Sequence, residues 1–345
     1  VDFTSDNASG VAPQILAAFA DVNHGTAAAY GDDEISARAR GAMSELFERE
    51  VATFLVATGS AANALALAVL TPPYGTIFAH EEAHIHVDEC AAPEFYSGGA
   101  KIIPLPGEAG KIDADALALA IEKFPRGVIH RPQPGALSLT QSTEFGTVYS
   151  QDELAALIGL AKDGGIGVHM DGARFANAVA SSGLSPAEAT WKQGVDVLSF
   201  GATKNGGMGA EAVVFFDPDK ADDFQFRQKR AGQVFSKGRF PAAQFEAYLK
   251  DGLWLKMAGH ANAQAKRLTI GLKSQGLGEP VHAADANEIF IALPLDTISV
   301  LRKSGARFHN WPAPPRDGKQ LIRLVTSFQT SDEDVDGFLA ALASL

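Results

Sequence analysis

The stretch Asp196 to Phe216, DVLSFGATKNGGMGAEAVVFF, decides how the rest of the chain is read. An apolar run ends at Phe200, a turn of small residues follows, and a second apolar run begins at Ala212. Two short apolar runs separated by a turn read as strands of a sheet buried on both faces. The turn holds one lysine, Lys204, among glycines that let another molecule approach the backbone closely. The end of a strand in an α/β sheet is where ligands bind. Lys204 is therefore either a ligand-facing amine or an ordinary surface lysine in a tight turn. The GxxxxGK[ST] order of a Walker loop is absent.

The same texture recurs along the chain. Short apolar runs at 52–58, 75–80, 100–105, 126–131, 136–141, 165–171, 195–200 and 212–216 are predicted strands. Helices with readable starts lie between them. Ser150 and Glu153 form a capping box ahead of Leu154, Leu157, Ile158 and Ala161, and Ser185, Pro186 and Glu188 form a second start signal. Asp113 precedes Leu117, Ala120, Ile121 and Phe124 at helical spacing. Strands alternating with helices predict an α/β fold with a mostly parallel sheet flanked by helices. After about residue 240 helical sequence dominates. The strands NEIFIAL and QLIRLVT follow, with a last helix from Ser331 that buries Val335, Phe338, Leu339, Leu342 and Leu345. The expected division is a large domain over 1–240, including an N-terminal arm, and a smaller C-terminal α+β domain over 241–345.

Composition narrows the function classes. The 345 residues are 46% hydrophobic and carry a formal charge of −12. No dense Lys/Arg run accompanies that charge, which argues against nucleic acid or an anionic membrane as partner. Neither a signal pattern nor an apolar segment of about 18 or more residues is present, so a cytoplasmic protein is expected. Cys90 is the only cysteine, which rules out an intrachain disulfide and is read as a buried small hydrophobe.

Other residues give Lys204 company. GIGVHMDGARFANA ends a strand on Asp171, one βα unit before Lys204, with Arg174 three residues on. A carboxylate at one strand end and a lysine at the next suits pyridoxal phosphate, whose ring nitrogen needs an anion and whose aldehyde needs an amine. A structural Asp171–Arg174 ion pair at a helix start is the alternative. In FLVATGSAANALALAVL a strand passes through Thr58, Gly59 and Ser60 into a helix, whose free N–H groups and dipole favour a phosphate. An ordinary N-cap by Thr58 or Ser60 reads the same way. GxGxxG is missing, so dinucleotide binding has no support. HEEAH, His80 to His84, matches the zinc pattern HExxH, but that pattern needs one continuous helix and here His80 closes a strand. No metal is expected.

In this order, ATGSAAN, AHIHVDE, HMDGARFANA and ATKNGGMGAE resemble the L-threonine aldolases, a branch of the fold-type I pyridoxal-phosphate enzymes grouped with β-eliminating lyases. The resemblance covers nearly the whole chain, including the opening FTSDNASG and the later IRLVTS. It implies a transferase-like fold and a lyase that splits L-threonine, L-allo-threonine and related β-hydroxy-α-amino acids into glycine and an aldehyde. It implies that Lys204 bonds the cofactor, Asp171 pairs with its ring nitrogen and His84 stacks on its face. Gly59 and Ser60 would hold the phosphate. Ser5, Arg174 and Arg323 would bind the substrate carboxylate, with Glu89 close to the histidine. A homotetramer, built as a dimer of dimers with shared active sites, is also implied, and KRAGQVFSKGRF, with Lys229, Arg230, Lys237 and Arg239, matches the stretch that reaches a neighbour's cofactor.

Two departures stand out. Where many family members read ENTHN this chain reads LTQSTEFGT, which puts Thr143 or its neighbours near the substrate hydroxyl. Threonine is a poor base at neutral pH, so His84, directly or through water, is the expected base. The lysine turn TKNGGMGAE also differs from the usual SKGLG. The same cofactor could instead serve phenylserine cleavage, β-elimination, racemisation or transamination, or sit in a catalytically silent binding protein.

Overall fold

A computed structural model describes residues 1–312 and 314–342. Seven strands form the main sheet: β1 (Ala52–Val56), β2 (Gly75–His80), β3 (Lys101–Leu105), β4 (Gln133–Thr140), β5 (Gly167–Gly172), β6 (Val197–Gly201) and β7 (Glu211–Phe215). Their order is β1-β7-β6-β5-β4-β2-β3. Only β7 runs against its neighbours, pairing antiparallel with β1 and β6. The remaining pairs are parallel, so these strands deliver their carboxyl ends to one rim.

Burial on both faces explains why these strands read as continuous apolar runs. Phe78, Leu137, Leu139 and Val214 enter one core, while Ile77, Ala79, Ala136, Val213 and Phe215 enter cores on the opposite face. Helix Gly59–Leu70 lies on that opposite face, its Leu65 and Leu67 packed among these residues.

A second sheet, β8 (Glu288–Pro294), β10 (Lys319–Val325) and β9 (His309–Asn310), is antiparallel throughout. Helices Leu253–Ser274, Leu295–Lys303 and Asp332–Leu342 accompany it. Its core gathers Leu268, Ile289, Ile291, Ile322, Leu324, Val335 and Phe338 around Phe3. Leu339 is half-buried and Leu345 lies outside the described residues. Phe3 is held by N–H···O bonds to Arg307 and from Val325. That anchor draws Ser5 and Asp6 over the edge between the two sheets. Among the described residues, no helix is long and apolar enough to cross a membrane.

Three local expectations are corrected. Residues 126–131 form turns rather than a strand, and Ile129 is 89% exposed. An apolar run with no strand to pair with has no sheet to enter. Ser185 and Glu188 exchange the hydrogen bonds of a capping box at 3.2 and 2.9 Å, yet only a turn and the short 3-10 helix Trp191–Gln193 follow. Cys90 is exposed, at a φ of 49° in the sharp turn before helix Ala92–Ser97. The other two starts hold: Ser150 and Glu153 form a complete capping box, and Asp113 accepts from Ala116 N–H at 2.8 Å.

Candidate active site

The shared rim brings together side chains far apart in sequence. Lys204 sits in the 3-10 turn Thr203–Asn205 after β6, and Asp171 is the penultimate residue of β5. Thr58 and Gly59 link β1 to its helix, His84 follows β2, and residues 140–144 leave β4. They enclose a cavity of about 320 Å³. Gly59, Ser60, His84, Glu89, Asp171, Arg174 and Lys204 all line it.

The lysine turn is fixed from behind. Asn205 donates to Tyr248 Oη and to the Trp254 carbonyl, both at 2.8 Å. Gly206 has φ +96°, and a Cβ there would come within 3.0 Å of Ala12 Cβ, so the turn needs glycine. Among the described residues the Lys204 ammonium makes no hydrogen bond or ion pair, although its charge acts on Asp6, Glu211 and Glu288.

Asp171 is buried and held by neutral donors. Its Oδ1 accepts from Ala173 N–H at 2.9 Å and its Oδ2 from Asn63 Nδ2 at 2.7 Å. Asn63 also donates to Glu89 Oε1 at 2.9 Å, and that oxygen lies 2.8 Å from His84 Nδ1. A continuous chain of hydrogen bonds therefore joins His84 to Asp171. The Glu89 bond holds His84 above the usual histidine range against the opposing effect of burial, with Asp171 adding to the rise.

The opposite end of the cavity is ionic. Arg174 Nε and Nη2 donate to the two oxygens of Asp6 at 2.7 and 3.1 Å, and Nη1 lies 3.1 Å from Glu288 Oε2. Burial would lower the Arg174 pKa, but Asp6 and Glu288 together raise it. Burial would raise Asp6, but Arg174 and then Lys204 hold it below the carboxylate range. Arg323 stands one layer further out, with Nη1 3.7 Å from Glu288 Oε1 and its guanidinium over Trp311. Ser5 caps the short helix Asp6–Ala8 by accepting from Asn7 N–H at 3.1 Å. Neither Ser5 nor Arg323 lines the cavity, whereas Asn7 does.

Thr143 is not in the cavity, which corrects the expectation for this stretch. The chain leaving β4 bends at Gln141 and Ser142, and every second residue from Thr140 reaches the cavity. Thr140, Ser142 and Glu144 face the cavity. Gln141 and Thr143 face away: Gln141 pairs with the backbone of Tyr149, and Thr143 Oγ1 bonds the Ala109 carbonyl and Thr147 Oγ1 at 3.1 and 2.8 Å.

Asn63, Thr140, Glu144 and Glu211 are among the cavity groups that escaped the sequence reading. Glu211 carried a legible signal, because it opens an otherwise apolar strand beside the lysine turn. Burial pushes it up to about 7, against the pull of Thr203 and Lys204. Glu144 is likewise pushed up to about 7 by burial. Its Oε1 accepts from His84 N–H at 2.9 Å and Thr140 Oγ1 at 2.8 Å, while its buried Oε2 has no partner.

Pyridoxal phosphate fits these residues. A Cβ built on Gly59 would meet nothing within 4 Å, so the start of helix Gly59–Leu70 opens onto free space. Thr58 Oγ1 satisfies Ala61 N–H, leaving the N–H groups of the first turn, Gly59 and Ser60, for an anion. An unengaged ammonium and a buried carboxylate complete the donor set.

The sequence profile of the beta-eliminating lyases matches residues 2–294. The chain is 45% identical over 336 residues to a low specificity L-threonine aldolase of Pseudomonas aeruginosa, covering 96% of this chain and 94% of that protein. It superposes on a threonine aldolase structure from Leishmania major with a TM-score of 0.93, at 28% identity, covering 99% and 98% of the two chains. A serine palmitoyltransferase from Sphingomonas wittichii shares the fold at a TM-score of 0.73 and 16% identity, over 100% of this chain and 86% of that one.

Proposed function

The chain belongs to the beta-eliminating lyase family, and from that premise we propose that it cleaves L-threonine and L-allo-threonine to glycine and acetaldehyde with pyridoxal phosphate. The observation that carries this reading is the convergence of Lys204, Asp171 and the open start of helix Gly59–Leu70 on one cavity. Bound there, pyridoxal phosphate supplies an aldehyde for the substrate amine and a protonated ring that accepts the electron pair released when Cα–Cβ breaks.

The chain's own residues do the rest. Lys204 is the amine that holds the cofactor and is freed to carry a proton when substrate replaces it. Asp171 keeps the ring nitrogen protonated, and its burial strengthens that pairing. His84 covers the ring face, fixed by Glu89, which Asn63 ties to Asp171. Gly59 and Ser60 receive the phosphate. Arg174, held rigid by Asp6 and Glu288, orients the substrate carboxylate, and Arg323 braces Glu288 from outside. The β-hydroxyl must lose a proton during cleavage, and His84 and Glu144 are the cavity groups that titrate within reach of it.

We also propose a cytoplasmic homotetramer, a dimer of dimers. Lys229, Arg230 and Lys237 are exposed and form no ion pair among the described residues, which suits bases offered to a neighbouring subunit's phosphate. Light scattering on the eluting protein checks the assembly, and fractionation of the host checks the compartment. The central test is product analysis with protein supplied with pyridoxal phosphate. Acetaldehyde and glycine in equal amounts are expected from both diastereomers. A keto acid, ammonia or an inverted enantiomer would replace the aldolase reading by transamination, elimination or racemisation.

A further inference from the structure

We propose that Glu144 is the catalytic base that takes the proton of the substrate's β-hydroxyl, a role that rests on the aldolase reading above. The position of the carboxyl carries the inference. Its Oε1 is fixed by His84 N–H and Thr140 Oγ1, and its Oε2 is buried in the cavity wall without a partner. A buried carboxylate oxygen left unbonded is costly and unusual in a folded protein. A hydroxyl arriving with substrate would satisfy it.

The carboxyl also lies where the reacting bond must be. Its bond to the backbone of His84 sets it beside the residue that covers the ring, and its charge acts on Arg174, which receives the substrate carboxylate.

The other titratable groups of the cavity are committed elsewhere. Asp171 accepts from Asn63, and Lys204 is given to the cofactor. Glu89 also has a buried Oε2 without a partner, but its Oε1 is shared between Asn63 and His84, which commits it to holding the imidazole. His84 Nδ1 is tied to Glu89, which favours its protonated form and so leaves less of the free imidazole to take a proton. Glu211 is bonded to Thr203 and lies under the charge of Lys204, which commits it to the lysine turn. Glu144 feels Asp171, which raises its pKa with burial, and it acts in turn on the Tyr149 hydroxyl behind it. A carboxyl balanced in this way near neutrality is partly ionised at working pH, the condition for efficient proton transfer.

In the step, Oε2 accepts the hydroxyl proton as Cα–Cβ breaks. The electron pair of that bond is left at Cα, which takes a proton from the Lys204 ammonium to give glycine, the C–O bond becomes the aldehyde C=O, and the proton on the carboxyl returns through water to the Lys204 amine.

Glu144→Gln keeps an acceptor for His84 N–H and Thr140 while removing the base, and two reactions of the loaded enzyme separate its effects. Cleavage of L-threonine should fall about 10²- to 10⁴-fold, as for loss of a general base. Exchange of the glycine α-proton into heavy water needs the cofactor and Lys204 but no β-hydroxyl, and it should stay within about threefold. The acidic limb of the cleavage profile near pH 7 should vanish. The infrared absorption of protonated carboxyls in cofactor-free protein near pH 7 should shrink by the share of Glu144, leaving that of Glu211. Cleavage within about threefold of wild type, or equal loss of cleavage and exchange with the cofactor band intact, would overturn the proposal. If wild-type protein neither takes up cofactor nor exchanges glycine, the aldolase reading itself fails and takes the proposal with it.

Discussion

Two ends of one cavity bury carboxyl groups in opposite ways. At the Arg174 end, Asp6 and Glu288 face a guanidinium that bonds both. At the other end, Glu144 and Glu211 meet neutral donors, with the charge of Lys204 acting on Glu211 alone of the two. Burial disfavours the charged carboxylate in all four, and only a close cation reverses it. Asp6 is accordingly held below the carboxylate range, while Glu144 and Glu211 are driven up to about 7. Glu288 is the intermediate case: burial raises it although both Arg174 and Arg323 pull it down. One end of the cavity is thus a fixed charge lattice suited to orienting an anion. The other is a pair of groups that can gain and lose protons.

The largest effect should come from breaking the charge lattice. Arg174→Met leaves Asp6 and Glu288 buried without their cation, and removal of one partner from a buried pair costs about 3–5 kcal/mol. Urea unfolding of cofactor-free protein at pH 7 measures it. In the wild type the Asp6 contribution is present above the unfolded carboxylate pKa and fades only as pH falls through its lowered folded value. The variant should show the reverse, gaining stability as acid neutralises its stranded carboxylates. A loss below about 1 kcal/mol would mean that the lattice is not a unit.

A smaller effect is expected at the opposite end. The folded pKa of Glu211 lies above its unfolded value, from 4.5 to about 7. Its stability is therefore fully present below pH 4.5 and is lost as pH rises through about 7. At about 1.4 kcal/mol per unit, that loss is at most about 3 kcal/mol. Glu211→Gln cannot ionise, so its unfolding free energy should fall less than that of the wild type between pH 4.5 and 8. Parallel curves for the two proteins would show that Glu211 is not the group responsible.

The contrast between the two ends also marks what the sequence could disclose. Lys204, Asp171, Gly59 and His84 stand at strand ends, and strand ends are legible because apolar runs stop there. The sheet brings them to one rim whatever the details of the loops. The partners of Arg174 were not legible in this way. Asp6 and Glu288 reach it because Phe3 anchors the N-terminus in the small core and β8 ends beside the main sheet. No local pattern encodes those encounters. Ile129 failed for the converse reason, since a run can be apolar without meeting a sheet. Cys90 shows that a small apolar residue follows its backbone: a left-handed turn left it outside.

The smallest predicted effect concerns one residue of phase. After β4 the chain bends at Gln141 and Ser142, and sequence alone does not say which of the following side chains face the cavity. The structure gives the cavity to Thr140, Ser142 and Glu144 and turns Thr143 toward Ala109 and Thr147. Thr143→Val should then cost about 1–2 kcal/mol, the penalty for removing a buried hydroxyl that also receives the N–H groups of Phe145 and Thr147. Its kcat on L-threonine should stay within about threefold of wild type. Thr140→Val removes a donor from Glu144 Oε1 and so should shift the acidic limb of the rate profile upward, since a hydrogen bond to the ionised form is lost. If Thr143→Val moved that limb and Thr140→Val did not, the parity would be wrong, and Glu144 would lose its place beside the substrate.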